Sequence, residues 1–276
     1  MNHLGLICPV CGAGLSLSDS GSALCCAGTV AKKHNFDISR AGHVNLAGGA
    51  YDPNSGDPAD MVRARIAFLE KGYYEPLGRR IAEIVAENGG ICVDAGCGSG
   101  YYTQMLSNGT DITYGFDLSK TAVEYAAKKA KREQKNCFYG ICSVYSLPIA
   151  DGAASSVTSV FAPVAEKEFA RVLKDGGRLI IAAAAPDHLC DMKALLYDTV
   201  TENGERGDLP KSMVLELSER LTYKRRLERE DVAALYTMTP YSRRTSRESA
   251  ERLLSHDSLE ITFSFDIFVY AKKEQI

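Results

Sequence analysis

The sequence has 276 residues and a mass of 29.9 kDa, which is enough for one or two domains. Apolar residues make up 45% of it and charged residues 24%, which excludes an intrinsically disordered, collagen-like or coiled-coil protein. The net charge of −3 excludes a surface that is basic all over, so a nucleic-acid partner must contact a local patch. The sequence has no apolar segment of membrane length and no signal peptide, so we expect a cytoplasmic protein without a membrane partner.

Four of the nine cysteines lie within the first 26 residues, which indicates a metal site. Cys8 and Cys11 have the spacing of a zinc knuckle. One further thiolate and His34 complete a closed, structural Zn²⁺ site, with His43 as a weaker alternative imidazole. We take Cys25 as the third thiolate and Cys26 as its alternative, because neighbouring residues seldom both ligate one metal.

The remainder of the chain alternates between helix and strand patterns. Residues 51–59 predict a loop, since they contain two prolines and a glycine. Helices are predicted from residue 59 and at 76–88, 101–107, 121–132 and 166–173, and strands at 91–93, 112–116, 136–140, 156–161 and 178–184. Residues 259–265 and 267–271 predict an antiparallel pair that closes the sheet. This pattern is typical of an α/β, Rossmann-like, mostly parallel sheet.

A glycine-rich loop between the first predicted strand of that sheet and the next helix carries the clearest chemical signal. Its glycines are Gly96, Gly98 and Gly100. Such a loop suits a dinucleotide or S-adenosylmethionine, because its backbone can approach a ligand closely. Asp94 favours S-adenosylmethionine, since a carboxylate repels a pyrophosphate and attracts an ammonium or sulfonium group. Asp117, at the end of the next strand, is predicted to accept hydrogen bonds from both ribose hydroxyl groups.

Three later segments are weaker candidates. Cys142 and Ser143 follow the third strand and are expected to border the adenine, although an ordinary strand-to-loop edge explains them equally well. Residues 161–163 end the fourth strand, where the switch-point rule places a substrate. Basic residues are frequent between 211 and 252, which predicts either an RNA-phosphate patch or a solvated face. They include Lys224, Arg225, Arg226, Arg229, Arg243, Arg244, Arg247 and Arg252.

Nearly the whole chain resembles the RlmA family of zinc-bearing ribosomal RNA guanine methyltransferases. The similarity includes the N-terminal Cys-x-x-Cys and the glycine-rich loop. The more specific motifs are His34–Asp37, Gly42–Leu46, Gly56–Met61, Phe68–Leu77, Pro186–Leu189 and Met238–Tyr241.

The resemblance implies a class I methyltransferase with an antiparallel terminal strand in its sheet. It further implies S-adenosylmethionine-dependent methylation of guanine N1 in a hairpin of large-subunit ribosomal RNA, and the ability to form a homodimer. One branch of this family contributes to macrolide resistance. We expect residues 1–45 to form a zinc-binding RNA-recognition module and residues 46–276 to form the methyltransferase domain.

The same resemblance adds residues to the predicted donor site. Tyr74, Tyr102, Thr103 and His188 join Asp117 around S-adenosylmethionine. A base must accept the proton of guanine N1. His188 is a weak candidate for that base, and no other residue is assigned to catalysis.

Two other functions use parts of this pattern. A small-molecule methyltransferase would share the glycine-rich loop, but the cysteine cluster would have no role in it. A non-catalytic, zinc-dependent RNA-binding protein would explain that cluster, but it would not need an intact loop with Asp94 and Asp117.

Overall fold

The computed structural model describes residues 5–28, 33–48, 56–199 and 209–273. Its helices are α1 (Ala59–Glu70), α2 (Glu75–Asn88), α3 (Tyr101–Leu106), α4 (Lys120–Arg132), α5 (Glu166–Val172), α6 (Cys190–Leu196), α7 (Arg229–Met238) and α8 (Arg247–Leu254). Its strands are β1 (Leu15–Leu17), β2 (Ala23–Cys26), β3 (Asn35–Asp37), β4 (His43–Asn45), β5 (Ile91–Ala95), β6 (Ile112–Asp117), β7 (Cys137–Ile141), β8 (Ala154–Val160), β9 (Leu173–Ala184), β10 (Val214–Glu228) and β11 (Ser258–Ala271).

Within the described ranges, eight strands form a central sheet in the order β10-β11-β9-β8-β5-β6-β7-β4. The strands from β9 to β4 are parallel to their neighbours, whereas β11 is antiparallel to β9 and to β10. The order of connection reverses between β5 and β8, so a crevice opens there at the carboxyl ends of the strands. The predicted Rossmann-like, mostly parallel sheet with an antiparallel end is confirmed.

Helix α2 illustrates how the sequence forms the layer that covers this sheet. Its apolar residues recur every three or four positions and are buried against the sheet, while charged residues face solvent. Burial of each such side chain stabilises the fold by about 1.5–3 kcal/mol. The helix ends at Gly89, whose φ of +54° is easily adopted only by glycine.

The N-terminal segment is joined to the central sheet rather than separate from it. Strands β1, β2 and β3 form a small antiparallel sheet, but β4 pairs in parallel with β7. Leu6 and Leu24 belong to the same apolar core as Val93 and Phe116. A division at residue 45 remains a proposal, and β4 lies structurally with the second part.

The prediction for the end of the sheet is wrong in one respect. Residues 259–265 and 267–271 do not pair with each other, because they form the single strand β11. Asp266 interrupts the apolar pattern of the sequence, but it lies within the strand, where its carboxylate pairs with Arg220 of β10. Strand β10 was not predicted, because polar and charged residues fill its exposed face and are interleaved with the apolar residues that pack on the core, which are Leu217, Leu221, Tyr223 and Leu227.

Two further predictions concern the loop at residues 51–59 and membrane-spanning segments. Residues 51–55 of the predicted loop lie outside them. None of the described helices has the length and apolar character needed to cross a bilayer.

Candidate functional site

The glycine-rich loop after β5 presents its backbone to the crevice between β5 and β8. Gly96 has a φ of +82°, and a side chain there would place a Cβ 2.5 Å from Cβ of Ala162. Gly98 has a φ of +51°, but a Cβ at this position would meet nothing within 4 Å. The loop therefore packs closely against the protein on one side and leaves open space beside Gly98 for a ligand.

Asp117 lies at the carboxyl end of β6, directly beside this loop. Its carboxylate accepts hydrogen bonds from the backbone N–H of Gly98 at 2.9 Å and of Ser119 at 2.7 Å. Each carboxylate oxygen has further lone pairs, so the group can also accept two ligand hydroxyl protons. Burial raises the pKa of Asp117. Its role as the acceptor of ribose hydroxyl protons stays a prediction.

A second element approaches Asp117 that the sequence did not indicate. Gly56 lies against Ser119, since a Cβ added to Gly56 would be 2.9 Å from Cβ of Ser119. The next residue, Asp57, forms an ion pair with Arg65 of α1. The segment that leads into α1 therefore borders the acidic end of the crevice.

Asp94 is buried beneath the loop rather than directed into the crevice. It is 1% exposed, and its two oxygens accept protons from the hydroxyl groups of Thr103 at 2.6 Å and Thr158 at 2.9 Å. Burial raises its pKa to about 6. Asp94 supports the loop, and from this buried position it can influence a cationic ligand only through its charge. Thr103, predicted beside the donor, is fully buried and bonded to this carboxylate.

Tyr74 and His188 meet on the opposite side of the crevice. The backbone N–H of Ser264 donates to Nδ1 of His188 at 3.2 Å, and Nε2 of His188 is 3.2 Å from the Tyr74 hydroxyl. Burial, with a smaller effect of Lys193, lowers the pKa of His188 to about 3, so the ring is neutral. The proton must then be on Nε2 and be donated to Tyr74, whose own hydroxyl proton is left for another acceptor.

A buried hydroxyl group provides a test of whether this crevice fits a polar ligand. Tyr102 is 8% exposed, and its hydroxyl oxygen is buried without a hydrogen-bond partner in the described part of the chain. An unpaired buried hydroxyl group is costly, and a bound polar ligand would remove that cost. Together with the open space at Gly98 and the free lone pairs of Asp117, it fits a nucleoside-bearing donor such as S-adenosylmethionine.

Cys142 and Ser143 follow β7 at the same edge of the sheet. The Cys142 backbone N–H donates to the Asp117 carbonyl at 3.3 Å, and its side chain is buried. The Ser143 hydroxyl accepts a hydrogen bond from the Tyr145 backbone. The structure therefore places this turn next to Asp117, and its contact with adenine stays a prediction.

Phe161 projects into solvent from the carboxyl end of β8. It is 46% exposed and has a φ of +54°, which is unfavourable for a residue with a large side chain. Its ring centroid lies 6.0 Å from that of Tyr74 and 5.9 Å from that of Phe265. The fold thus holds an aromatic ring in a strained position at the mouth of the crevice.

The cysteine cluster forms a separate centre in the small N-terminal sheet. The ligand atoms of Cys8, Cys11, Cys26 and His34 all lie within 4.8 Å of one another. Nδ1 of His34 is 3.6 Å from Sγ of both Cys8 and Cys26. A tetrahedral zinc ion with Zn–S of about 2.3 Å and Zn–N of about 2.0 Å requires a sulfur-to-nitrogen distance of about 3.5 Å. These residues therefore fit a structural zinc ion.

The third thiolate of this cluster is Cys26, so the choice of Cys25 is corrected. Successive side chains alternate between the faces of a strand, and in β2 those of Leu24 and Cys26 are buried while that of Cys25 is partly exposed. The His34 backbone N–H donates to Cys26 Sγ at 3.2 Å and helps to lower its pKa to about 6. His43, the alternative imidazole, is in β4 and is bonded to Ser39 instead.

Comparisons with known proteins agree with this geometry. Residues 93–181 match a family described as a methyltransferase domain. The chain is 31% identical over 249 residues to the 23S rRNA (guanine(748)-N(1))-methyltransferase of Streptomyces fradiae, covering 86% of this chain and 85% of that protein. A putative 23S rRNA (guanine-N(1)-)-methyltransferase of Micromonospora griseorubida is 30% identical, with 85% of both chains covered. Another, from Bacillus subtilis, is 27% identical over 96% of both.

Proposed function

Because this chain belongs to the 23S rRNA (guanine-N1)-methyltransferase family, we propose that it methylates N1 of a guanine in large-subunit ribosomal RNA. The methyl donor is S-adenosylmethionine, and the reaction takes place in the cytoplasm. The observation that carries the proposal is the crevice between β5 and β8, where an open glycine loop, an acidic strand end and an exposed aromatic ring adjoin. The assignment of ribosomal RNA as the substrate, and of guanine as its target base, rests on the relatives named above.

The donor supplies an electrophilic methyl group on a sulfonium, and the protein supplies its position. Backbone at Gly98 leaves room for the donor, and Asp117 accepts its ribose hydroxyl protons. The unpaired hydroxyl of Tyr102 and the remaining proton of Tyr74 provide two further polar contacts. Fixing the donor in this way contributes to rate because in-line displacement depends on alignment.

The target guanine stacks on Phe161 in this proposal. A base in a hairpin must leave its stack to reach an enclosed site, and an aromatic ring compensates for part of the lost stacking. Phe161 is exposed, adjoins Tyr74 and stands at the switch point of the sheet. These features support its role as the platform for the base.

His188 orients Tyr74 rather than acting as the base. One of its nitrogens accepts from the Ser264 backbone and the other faces Tyr74, and its pKa of about 3 keeps it neutral. We therefore assign it a positioning role through the Tyr74 hydroxyl group.

The zinc centre has a structural role. Three thiolates and one imidazole are a complete ligand set, so no coordination position is left for water or substrate. We propose that zinc orders the N-terminal residues so that they recognise the RNA, and that the protein forms a homodimer, which its family resemblance supports.

The direct test is to incubate the protein with labelled S-adenosylmethionine and large-subunit ribosomal RNA that lacks the modification. We expect label in RNA and a primer-extension stop at one guanine. Label only in small molecules from a cell extract would favour a small-molecule methyltransferase. Donor binding without any transfer, or zinc and RNA binding without donor binding, would favour a non-catalytic RNA-binding protein.

A further inference from the structure

A long groove runs beside α4 and leads away from the crevice. Its upper part is a cavity of 720 Å³ between α4 and residues 37–45, and its lining includes Arg40, Lys120 and Lys128. A second cavity of 430 Å³ adjoins it and is lined in part by Arg40, Lys131 and Lys135. Because Arg40 lines both cavities, they form one continuous surface, which we call the α4 groove.

The helical repeat directs three of the four lysines of α4 to one side, while Lys129 lies on another side and pairs with Glu70. Lys128 and Lys131 follow Lys120 by eight and eleven residues, so at 100° per residue the three side chains fall within about 80° of one another. Alanines occupy much of the opposite, buried face. The amphipathic pattern that packs α4 on the sheet therefore also aligns these three positive charges along the groove.

The charge of the groove differs in sign from that of the whole protein. Its lining contains five basic residues, against the acidic residues Asp37 and Glu124. This local excess of three positive charges occurs in a chain whose net charge is −3. Among the described residues, Arg40, Lys120 and Lys131 are exposed and form no ion pair, so their charges are available to a partner.

The basic residues near the end of the sequence differ from those of the groove. Lys224 pairs with Glu260, Arg229 with Asp257 and Arg247 with Glu251. Arg252 donates to the Leu195 carbonyl, and Arg225 lies over the Tyr223 ring. Much of that cluster is engaged within the protein, which favours the α4 groove as the surface for an anionic partner.

The groove also begins where the proposed chemistry takes place. Lys120 follows Ser119, whose backbone is bonded to Asp117 at the crevice. Helix α4 has 13 residues and is therefore about 20 Å long, which is enough to track several nucleotides of a strand.

We propose that the α4 groove binds the phosphodiester backbone of the RNA strand next to the target guanine. This proposal rests on the proposed function for its partner. Ion pairs with phosphates position the strand without reading its sequence, while the crevice selects the base. Arg40 would connect the zinc-ordered segment and the methyltransferase sheet through one bound strand.

The test replaces two unpaired groove cations, Arg40→Gln with Lys131→Gln. The control is Lys174→Gln with Lys273→Gln, two exposed lysines outside the groove, one in β9 and one just after β11. RNA binding is measured across a series of salt concentrations, donor binding by calorimetry and folding by thermal denaturation. We expect the groove variant to bind RNA more weakly, with a logarithmic salt slope smaller by about 1.4, since each lost single-strand phosphate contact removes about 0.7. Donor affinity and melting temperature should stay unchanged, and the control should match the wild type.

An unchanged salt slope in the groove variant, together with normal methylation by the wild type, would overturn the groove and leave the proposed function intact. If the groove variant has the smaller slope but the wild-type protein never methylates RNA, the proposed function is overturned and the groove is retained. Polyglutamate is used as a competitor, and equal displacement of RNA from wild type and groove variant would also count against the groove.

Discussion

Asp117 is the side chain on which the donor site depends most directly. We expect Asp117→Ala to weaken S-adenosylmethionine binding by at least tenfold, since each hydrogen bond to a charged group contributes about 1.5–3 kcal/mol. Calorimetry measures the affinity. Asp111→Ala is the control, because this exposed residue lies at the other end of β6. Unchanged affinity in a folded Asp117→Ala protein would remove Asp117 from the site.

Asp94 gives the same site a dependence on pH. Its pKa is raised to about 6 by burial, and its ionised form favours a cationic donor. Donor affinity should therefore be full well above pH 6 and decline as the pH falls through that value, because protonation removes the charge. Asp117 also has a raised pKa, so the comparison is with Asp94→Asn. The variant should bind more weakly at pH 8 and lose less affinity on acidification; parallel curves would contradict this.

Variants of Phe161 distinguish the energetic cost of its strained backbone from the function of its aromatic ring. We expect Phe161→Ala to lower kcat/KM for RNA by roughly 10-fold to 100-fold, since stacking of a base contributes about 1–3 kcal/mol. Phe161→Tyr should retain most activity. Phe161→Gly should raise the melting temperature, because glycine accepts a φ of +54°, while activity stays low. Equal activity of the alanine and tyrosine variants would exclude a stacking role.

At the scale of single elements, strand β2 sets the composition of the metal centre. Cys26→Ser should release zinc, whereas Cys25→Ser should retain it, because the strand directs only Cys26 to the cluster. Metal analysis of the two purified variants decides between them. The pair differs by one position in the chain and needs no other control. Zinc loss from the Cys25 variant alone would reverse the assignment.

The same strand explains a limit of the sequence. Because side chains alternate along a strand, only one of Cys25 and Cys26 can face the cluster. The sequence of this four-residue strand does not show which one, since that depends on how the strand pairs with β1 and β3. Local composition could indicate a zinc ligand set, not the face of the strand on which each cysteine lies.

The helices and parallel strands around the glycine loop were predictable because their apolar residues follow regular periods. Strand β10 was not predicted, since polar and charged residues outnumber the alternating apolar residues that its long ladder to β11 places against the core. Similarly, no local pattern distinguishes an Asp94 that faces a ligand from one bonded to Thr158, a residue 64 positions away. Long-range contacts determined both outcomes.

At the scale of the whole molecule, the zinc centre should stabilise more than its own segment. Leu24 and Cys26 share an apolar core with Phe116, and β4 extends the central sheet. We therefore expect zinc removal by a chelator to lower the temperature of one cooperative transition, by about 2–4 °C for each kcal/mol lost. Differential scanning calorimetry with and without chelator measures this. Two separate transitions, with only one sensitive to zinc, would show that the segment folds independently.

The order of the strands has a consequence for folding during synthesis on the ribosome. Strand β11 lies between β9 and β10, although it is the last of the three to leave the ribosome. Until it is made, β10 has no neighbour in the sheet and β9 lacks one, so two strand edges stay exposed on the nascent chain. Final closure of the sheet must then be a late, non-local event. This enzyme of ribosomal RNA should therefore be most vulnerable to aggregation while it is still attached to a ribosome.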